Sequence, residues 1–442
     1  MKYTKLLFAL AFAASIFVAP SFAQESEPAP QPQDPPSFVI PFHIFVEPQE
    51  PSPEELEEFY RSNWSSIGDI YYAPDKLKSY GEWEHKYDGK LTTVAELEQA
   101  LKELAASFGD RWTRYTTTSE IAASRQQYAQ NIAPIGMELK RQTDGSFRVH
   151  VMFWGSPAQK SDLRIGDTIK SVGGKELAGM SEDDANQLTS GKIGEKLAVE
   201  YMEGGKPVKI ELTFEQLKMS PVESRMLSDG VLYIRLPTFN SKPVLQEFEQ
   251  ALTKAVKDNG GKLSGLVLDL RGNTGGVFDY ALQVVSDFQA DGVVTRSVTR
   301  NGRMVNETTH RVIPYLPHML QEAGEEEANI VRVLQSVPMV VLADHNTMSA
   351  SEVTIGALKD NGRVRVVGEP TFGKAVGYKQ FRLRTGGVMQ VTTLKYLTPK
   401  GHDVSQHGIV PDRLVRQPRG TEDVQLKAGV EELTRLMKKG GK

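Results

Sequence analysis

Val231-Leu232-Tyr233-Ile234-Arg235-Leu236 opens the part of the chain whose order of elements decides the fold. It is a short apolar run, the pattern of a buried strand. Similar runs follow at Leu266–Leu270, Met339–Leu342 and Val364–Val367. Helical patterns fall between them, over Val244–Val256 and again over Ser351–Lys359. Strands that alternate with helices predict a layered α/β core.

The next segment outward is Asn346-Thr347-Met348-Ser349-Ala350-Ser351-Glu352, which opens the second of those helices. Ser349-x-x-Glu352 is a capping box, in which the serine accepts from a helical N–H and the glutamate reaches back to the serine N–H. The same position suits a nucleophile, because the dipole and free N–H groups of a helix start can hold an oxyanion. The two readings are compatible. A serine hydroxyl needs a base to take its proton. Lys374, in Phe372-Gly373-Lys374, can be that base if burial pushes its amine toward neutrality.

In such a Ser/Lys site two backbone donors must face the oxyanion. Ala350 N–H follows the nucleophile directly. Gly275 or Gly276 supplies the other, from the loop after Leu266–Leu270, since glycine lets a backbone approach a ligand closely. Histidine is the usual rival base, and Asp344-His345 lies just before Ser349. No Gly-x-Ser-x-Gly elbow surrounds the serine, which removes support for a lipase-like hydrolase. No His, Asp or Glu cluster has familiar metal-ligand spacing, so neither metal nor other cofactor is expected.

Four motifs occur in order: Leu268-Asp269-Leu270-Arg271-Gly272-Asn273-Thr274-Gly275-Gly276, the serine segment, Gly368-Glu369-Pro370-Thr371-Phe372-Gly373-Lys374, and Tyr396-Leu397-Thr398-Pro399-Lys400-Gly401 with His407-Gly408-Ile409-Val410-Pro411-Asp412. Together they resemble the carboxyl-terminal processing proteases, tail-specific serine endopeptidases of the S41 family. The resemblance implies a PDZ domain, carried here by Gly155-Ser156-Pro157-Ala158, Leu163-Arg164-Ile165-Gly166-Asp167-Thr168-Ile169 and Val172-Gly173-Gly174-Lys175. Ile135, Gly136 and Met137 then stand where N–H groups would bind a peptide carboxylate, beside a strand edge that could pair with the peptide. A generic small β domain used for assembly is the plainer reading of that region.

Two positions depart from the family pattern. Members commonly carry glutamine four residues after the lysine, where it orients the amine; this chain has Tyr378 there and Gln380 two further on. Gly377 permits the extra bend that would bring Gln380 back, which favours Gln380 over Tyr378. Ser190 stands where members often have arginine, just before Gly191.

Residues 1–23 read as a signal peptide, with Lys2 and Lys5 before an apolar run and Ser21-Phe22-Ala23 as the cleavage site. Secretion or export to the periplasm follows. The expected organisation continues with a Pro-rich tether at 24–51 and a helical region at 52–131. A PDZ-like domain at 134–215, a protease core at 220–417 and a C-terminal helix at 418–442 complete it. The apolar Phe38–Val46 patch in the tether suggests packing on the body as an added strand, or on a neighbouring chain in a homo-oligomer. Gly302–Gln335 reads as a surface excursion, and Trp64, Trp83 and Trp112 as core residues. A chain of 442 residues with a formal net charge of −4 has no basic excess for nucleic acid, and no second segment is apolar enough to span a membrane. The absence of cysteine rules out disulfides, thiolate metal sites, cysteine catalysis and cysteine lipidation. The expected fold is therefore α+β and multidomain. The expected function is a secreted or periplasmic serine endopeptidase cutting proteins near their C-termini through an acyl-enzyme. The alternative, prompted by the missing glutamine, is a catalytically weak PDZ scaffold that binds C-terminal peptides.

Overall fold

The computed structural model describes residues 51–440 apart from 130–131, 217–220, 228–229, 315–321, 323, 406 and 419–421. The leader, the tether up to residue 50 and its Phe38–Val46 patch lie outside the described residues.

The amino-terminal region holds α1 (Pro53–Ile70) and α2 (Val94–Ala106), each entered through a capping box, from Ser52 to Glu55 and from Thr93 to Glu96. Leu97, Leu101 and Leu104 point from α2 into a shared core with Leu56 and Tyr60 of α1. The region is not wholly helical. β1 (Arg114–Thr116) leaves it to pair with a strand from the far end of the chain, before α3 (Thr118–Ala129).

A β domain follows. Its sheet runs in the order β3 (Met137–Arg141), β4 (Phe147–Met152), β5 (Thr168–Val172), β8 (Lys196–Glu203), β9 (Lys206–Thr213). β2 (Ile132–Pro134) pairs apart from it with β7 (Ser190–Lys192), and β6 (Lys175–Glu176) hangs on β5. Two short helices, α4 (Pro157–Lys160) and α5 (Glu182–Gln187), close the domain over its own apolar core.

The remaining chain builds the layered core. A sheet in the order β10 (Glu223–Met226), β11 (Val231–Arg235), β12 (Gly265–Asp269), β15 (Met339–Ala343), β16 (Arg365–Gly368), β19 (Arg413–Leu414) is parallel from β11 onward. Both faces are covered, which is why its strands read as unbroken apolar runs. Leu232, Ile234, Leu266, Leu268 and Val341 face α6 (Lys242–Asp258), α7 (Phe278–Phe288) and α9 (Ala350–Asp360). Tyr233, Val267, Val340, Leu342 and Val367 face the terminal helix α10 (Val424–Gly440). Gly429 gives that helix a close approach to the sheet: a Cβ there would lie 2.7 Å from Leu342 Cδ2, and the leucine would have to shift.

The second sheet of the core runs β1, β18 (Val388–Leu397), β13 (Val293–Asn301), β14 (Met304–Arg311), with β17 (Val376–Arg382) also on β18. The Gly302–Gln335 segment is thus more than an excursion. Its β14 completes a hairpin with β13, and α8 (Glu325–Ser336) buries Ala328, Ile330 and Leu334. The Glu325-Glu326-Glu327 run occupies the first turn of α8, where acidic residues complement the helix dipole.

Candidate active site

Ser349 sits where β15 turns through a short loop into α9. Its backbone is at φ 58°, ψ −119°, and among the described residues it is the one non-glycine with positive φ. Such a conformation costs on the order of 1–3 kcal/mol and persists when its surroundings over-determine it. Here they do. Asp344 accepts from Gly272 N–H at 2.9 Å and from Asn346 N–H at 3.0 Å. The carbonyl of fully buried Asn273 accepts from Met348 N–H at 3.1 Å and from Ser351 Oγ–H at 2.9 Å. Strain at the candidate nucleophile has no local sequence signal, because no glycine marks the bend.

Glu352 does far more than cap. Its carboxylate is 1% exposed and accepts from four donors. Ser349 N–H reaches Oε2 at 2.9 Å and Lys374 N–H reaches the same oxygen at 2.8 Å. Gly373 N–H and Thr371 Oγ–H reach Oε1 at 2.7 and 2.5 Å. One side chain therefore fixes the serine and lysine segments to each other. Burial pushes its carboxyl above the usual range, against the pull of these donors. Tyr396, buried on β18, repeats the link from the other side by donating its hydroxyl to the carbonyls of Ser349 and Lys374.

The glycine loop approaches from β12. A Cβ on Gly275 would lie 2.7 Å from the Met348 carbonyl oxygen and 2.8 Å from Ser349 Cβ, so only glycine passes there. Gly275 N–H is occupied, donating to Asn273 Oδ1 at 2.9 Å. Gly276 N–H and Ala350 N–H have no hydrogen-bond partner among the described residues. Both residues line the same cleft of about 1160 Å³ as Ser349 and Lys374. Of the two glycines open from the sequence, Gly276 is the one with a free donor at the cleft.

Lys374 lies between the Glu352 contact and β17. Its Nζ makes no hydrogen bond or ion pair among the described residues; it lies 4.0 Å from the ring centroid of Trp112 and 4.9 Å from that of Tyr378. Burial pushes the amine down to about 8, with Arg111 and Arg114 adding to the effect and Glu352 opposing it. Trp112 is therefore a wall of the cleft and not a core residue. Trp64 and Trp83 do pack against the amino-terminal core. The strand register shifts between Gly377 and Tyr378, the extra bend allowed by Gly377. Even so, Gln380 does not turn back to the lysine: its amide donates to Gln390 Oε1 at 2.9 Å.

His345 lines a different cleft, with Trp154 and Arg271, and Asp344 spends its carboxylate on backbone N–H groups. The geometry thus gives the Asp344-His345 pair no part in the Ser349 cleft. Among the described residues, no cluster of His, Asp or Glu could hold a metal ion.

Comparison with known proteins bears on the family and the fold. The profile of peptidase family S41 matches residues 230–415, and a PDZ domain profile matches residues 128–202. A chloroplastic C-terminal processing peptidase of Tetradesmus obliquus is 30% identical over 336 residues, covering 72% of this chain and 68% of the relative. The chain belongs to peptidase family S41. A carboxyl-terminal-processing protease of Synechocystis sp. is 27% identical over 398 residues, 86% of this chain and 87% of the relative. The solved photosystem II D1 C-terminal processing protease superposes with a TM-score of 0.65 at 26% identity, over 85% of this chain and 96% of that one. As a member of this group the chain is a serine endopeptidase with a PDZ domain, acting on proteins.

In this S41 peptidase the motif Asp269-Leu270-Arg271 anchors the glycine loop. Arg271 is buried and donates to both Asp269 and Asp423, tying the loop to the start of α10. The PDZ domain touches the same loops. Asn346 Nδ2 donates to the Met152 carbonyl at 2.8 Å and Met152 N–H returns to Asn346 Oδ1 at 3.2 Å. Trp154 lies over the buried Arg235 guanidinium, 4.1 Å from it.

In the candidate carboxylate loop of the PDZ domain one N–H is already spoken for. Ile135 is fully buried and donates its N–H to the Thr189 carbonyl at 2.8 Å. The Gly136 carbonyl accepts from Phe153 N–H at 2.9 Å, and Met137 is 2% exposed. Beside it, α5 covers the edge of β3. Leu139 N–H donates to Asn186 Oδ1 at 2.8 Å, and Asn186 Nδ2 donates to the Leu139 carbonyl at 2.9 Å. Arg141 N–H donates to Glu182 Oε2 at 3.1 Å. Ser190 pairs opposite Pro134 in the small β2–β7 ribbon.

Proposed function

We propose that Ser349 and Lys374 form a Ser/Lys dyad that hydrolyses peptide bonds through an acyl-enzyme. The carrying observation is one cleft that joins a strained serine, a half-buried lysine and two N–H groups without a partner among the described residues. Ser349 Oγ attacks the scissile carbonyl carbon, and neutral Lys374 Nζ takes the hydroxyl proton. The carbonyl pair moves onto oxygen, and Ala350 and Gly276 N–H hold the oxyanion. Collapse breaks the C–N bond, the leaving amine takes the proton from Lys374, and water then repeats the sequence on the ester. An amine near 8 has both forms available close to neutral pH, as a base that later acts as an acid requires.

The substrate is a protein presenting its C-terminus. Its carboxylate would be held at the loop of Ile135, Gly136 and Met137, and its extended chain would pair with β3 once α5 releases that edge. The leader at 1–23 supports action outside the cytoplasm, as a secreted or periplasmic enzyme. The test is cleavage of casein by the wild-type chain and by Ser349→Ala, with a fluorophosphonate to label the nucleophile. Turnover and labelling at Ser349 are expected in wild type only; labelling elsewhere, or turnover by Ser349→Ala, would overturn the assignment.

A further inference from the structure

We propose that the ring faces of Trp112 and Tyr378 position the amine of Lys374, in place of a hydrogen-bonding side chain. The inference rests on the dyad reading and adds how its lysine is held. A lysine stem is long and flexible, and a base must be fixed to work. Yet Nζ has no hydrogen-bond partner among the described residues, while two aromatic rings stand within cation–π reach at 4.0 and 4.9 Å. The backbone that carries each ring is fixed by contacts that owe nothing to the lysine. Trp112 N–H donates to Asp110 Oδ1 at 2.9 Å, its carbonyl accepts from Gln390 Nε2 at 2.7 Å, and β1 begins two residues later. Tyr378 is carried by β17 at the register shift after Gly377.

The rings also act on the charge. Burial and the nearby Arg111 and Arg114 favour the neutral amine, which accepts the serine proton. Glu352 on α9 and the ring faces favour the ammonium that results. The charged groups facing Lys374 are thus Arg111 before β1, Arg114 on it and Glu352 on α9, with the phenols of Tyr378 on β17 and Tyr396 on β18 as further titratable neighbours.

The experiment measures kcat and KM for fluorescent casein against pH in wild type, Trp112→Leu, Trp112→Phe, Tyr378→Leu and Tyr378→Phe. Leucine keeps apolar burial and removes the π face. Trp112→Leu is expected to lower kcat about tenfold with KM changed less than about twofold. It should also move the rising limb of kcat/KM down by about half to one pH unit. Tyr378→Leu should act in the same direction and less, because its ring is farther away. Both phenylalanine variants should stay close to wild type. Tyr378 is 41% exposed, so its variants carry the test even if Trp112→Leu fails to fold. Leucine variants with unchanged kcat and limb would overturn the inference, as would phenylalanine variants as damaged as the leucine ones. Should Ser349→Ala retain wild-type turnover, the dyad itself fails and the inference falls with it, an outcome separable from the aromatic variants.

Discussion

The candidate catalytic cleft and the PDZ edge treat their polar groups in opposite ways. In the cleft, the groups that substrate would use are open: Gly276 N–H, Ala350 N–H and Lys374 Nζ have no hydrogen-bond partner among the described residues. On the PDZ side, the strand-edge groups that a peptide would pair with are closed: Leu139 offers neither its N–H nor its carbonyl, because one asparagine side chain occupies both. The loops of the cleft achieve openness by being pinned from behind, through Glu352, Asn273 and Tyr396. Preorganised donors cost no reorganisation when charge develops. The PDZ edge must first break internal bonds, so a peptide pairing there would have its affinity reduced by the cost of moving α5.

The sharpest break in this comparison is Lys374→Ala. It should lower casein turnover by about 10⁴-fold or more while leaving the circular dichroism spectrum unchanged, since one member of a catalytic unit removes most of its effect. Turnover within tenfold of wild type would return the base to an unidentified group.

Glu352→Ala tests the pinning. Four donors would lose their acceptor in a buried site, and stability should fall by about 3–5 kcal/mol in denaturant titration. A loss below about 1 kcal/mol would show that the loops hold themselves.

Lys374→Met separates stability from activity. The folded amine sits near 8 against 10.5 unfolded, so at pH 6 the fold bears the full cost of a buried ammonium. That cost declines as pH rises from about 8 and is gone above about 10.5. Methionine should therefore stabilise the chain by about 1–2 kcal/mol at pH 6, with the gain shrinking between pH 8 and 10. A gain independent of pH would place its origin in packing and not in charge.

Asn186→Ala sharpens the PDZ side and has the smallest expected effect. With the Leu139 groups released, the affinity of the full chain for a peptide with a free apolar C-terminus should rise about tenfold, read by calorimetry. Amidation of the peptide should cancel much of that affinity. Equal binding by wild type and variant would mean that α5 does not guard the edge.

Local sequence settled more of the core than of the sites. The buried strands, α6, α9 and α10 were legible because apolar runs and helical spacing express burial directly. Ser349 and Lys374 were legible as candidates, because a serine at a helix start and a lysine in a glycine turn leave local marks, and the structure brings both to one cleft. Trp112 was misread as core, since an aromatic residue after Gly109-Asp110 has the same local pattern whether it fills a core or lines a cleft. Glu352 read as a cap because its box partner is three residues away, while Thr371, Gly373 and Lys374 reach it from another loop. The choice between Gly275 and Gly276 depended on Asn273 claiming one N–H, and that between Tyr378 and Gln380 on Gln390 claiming an amide.

The sequence by itself determined the order of layers, the serine endopeptidase family and the residue types available for chemistry. The tertiary structure alone decided which donors stay open, which rings face the lysine and which strand edge is covered. Short-range pattern reports how a residue meets water and its chain neighbours. A hydrogen bond or ring contact between distant segments depends on where the sheets and loops finally bring them.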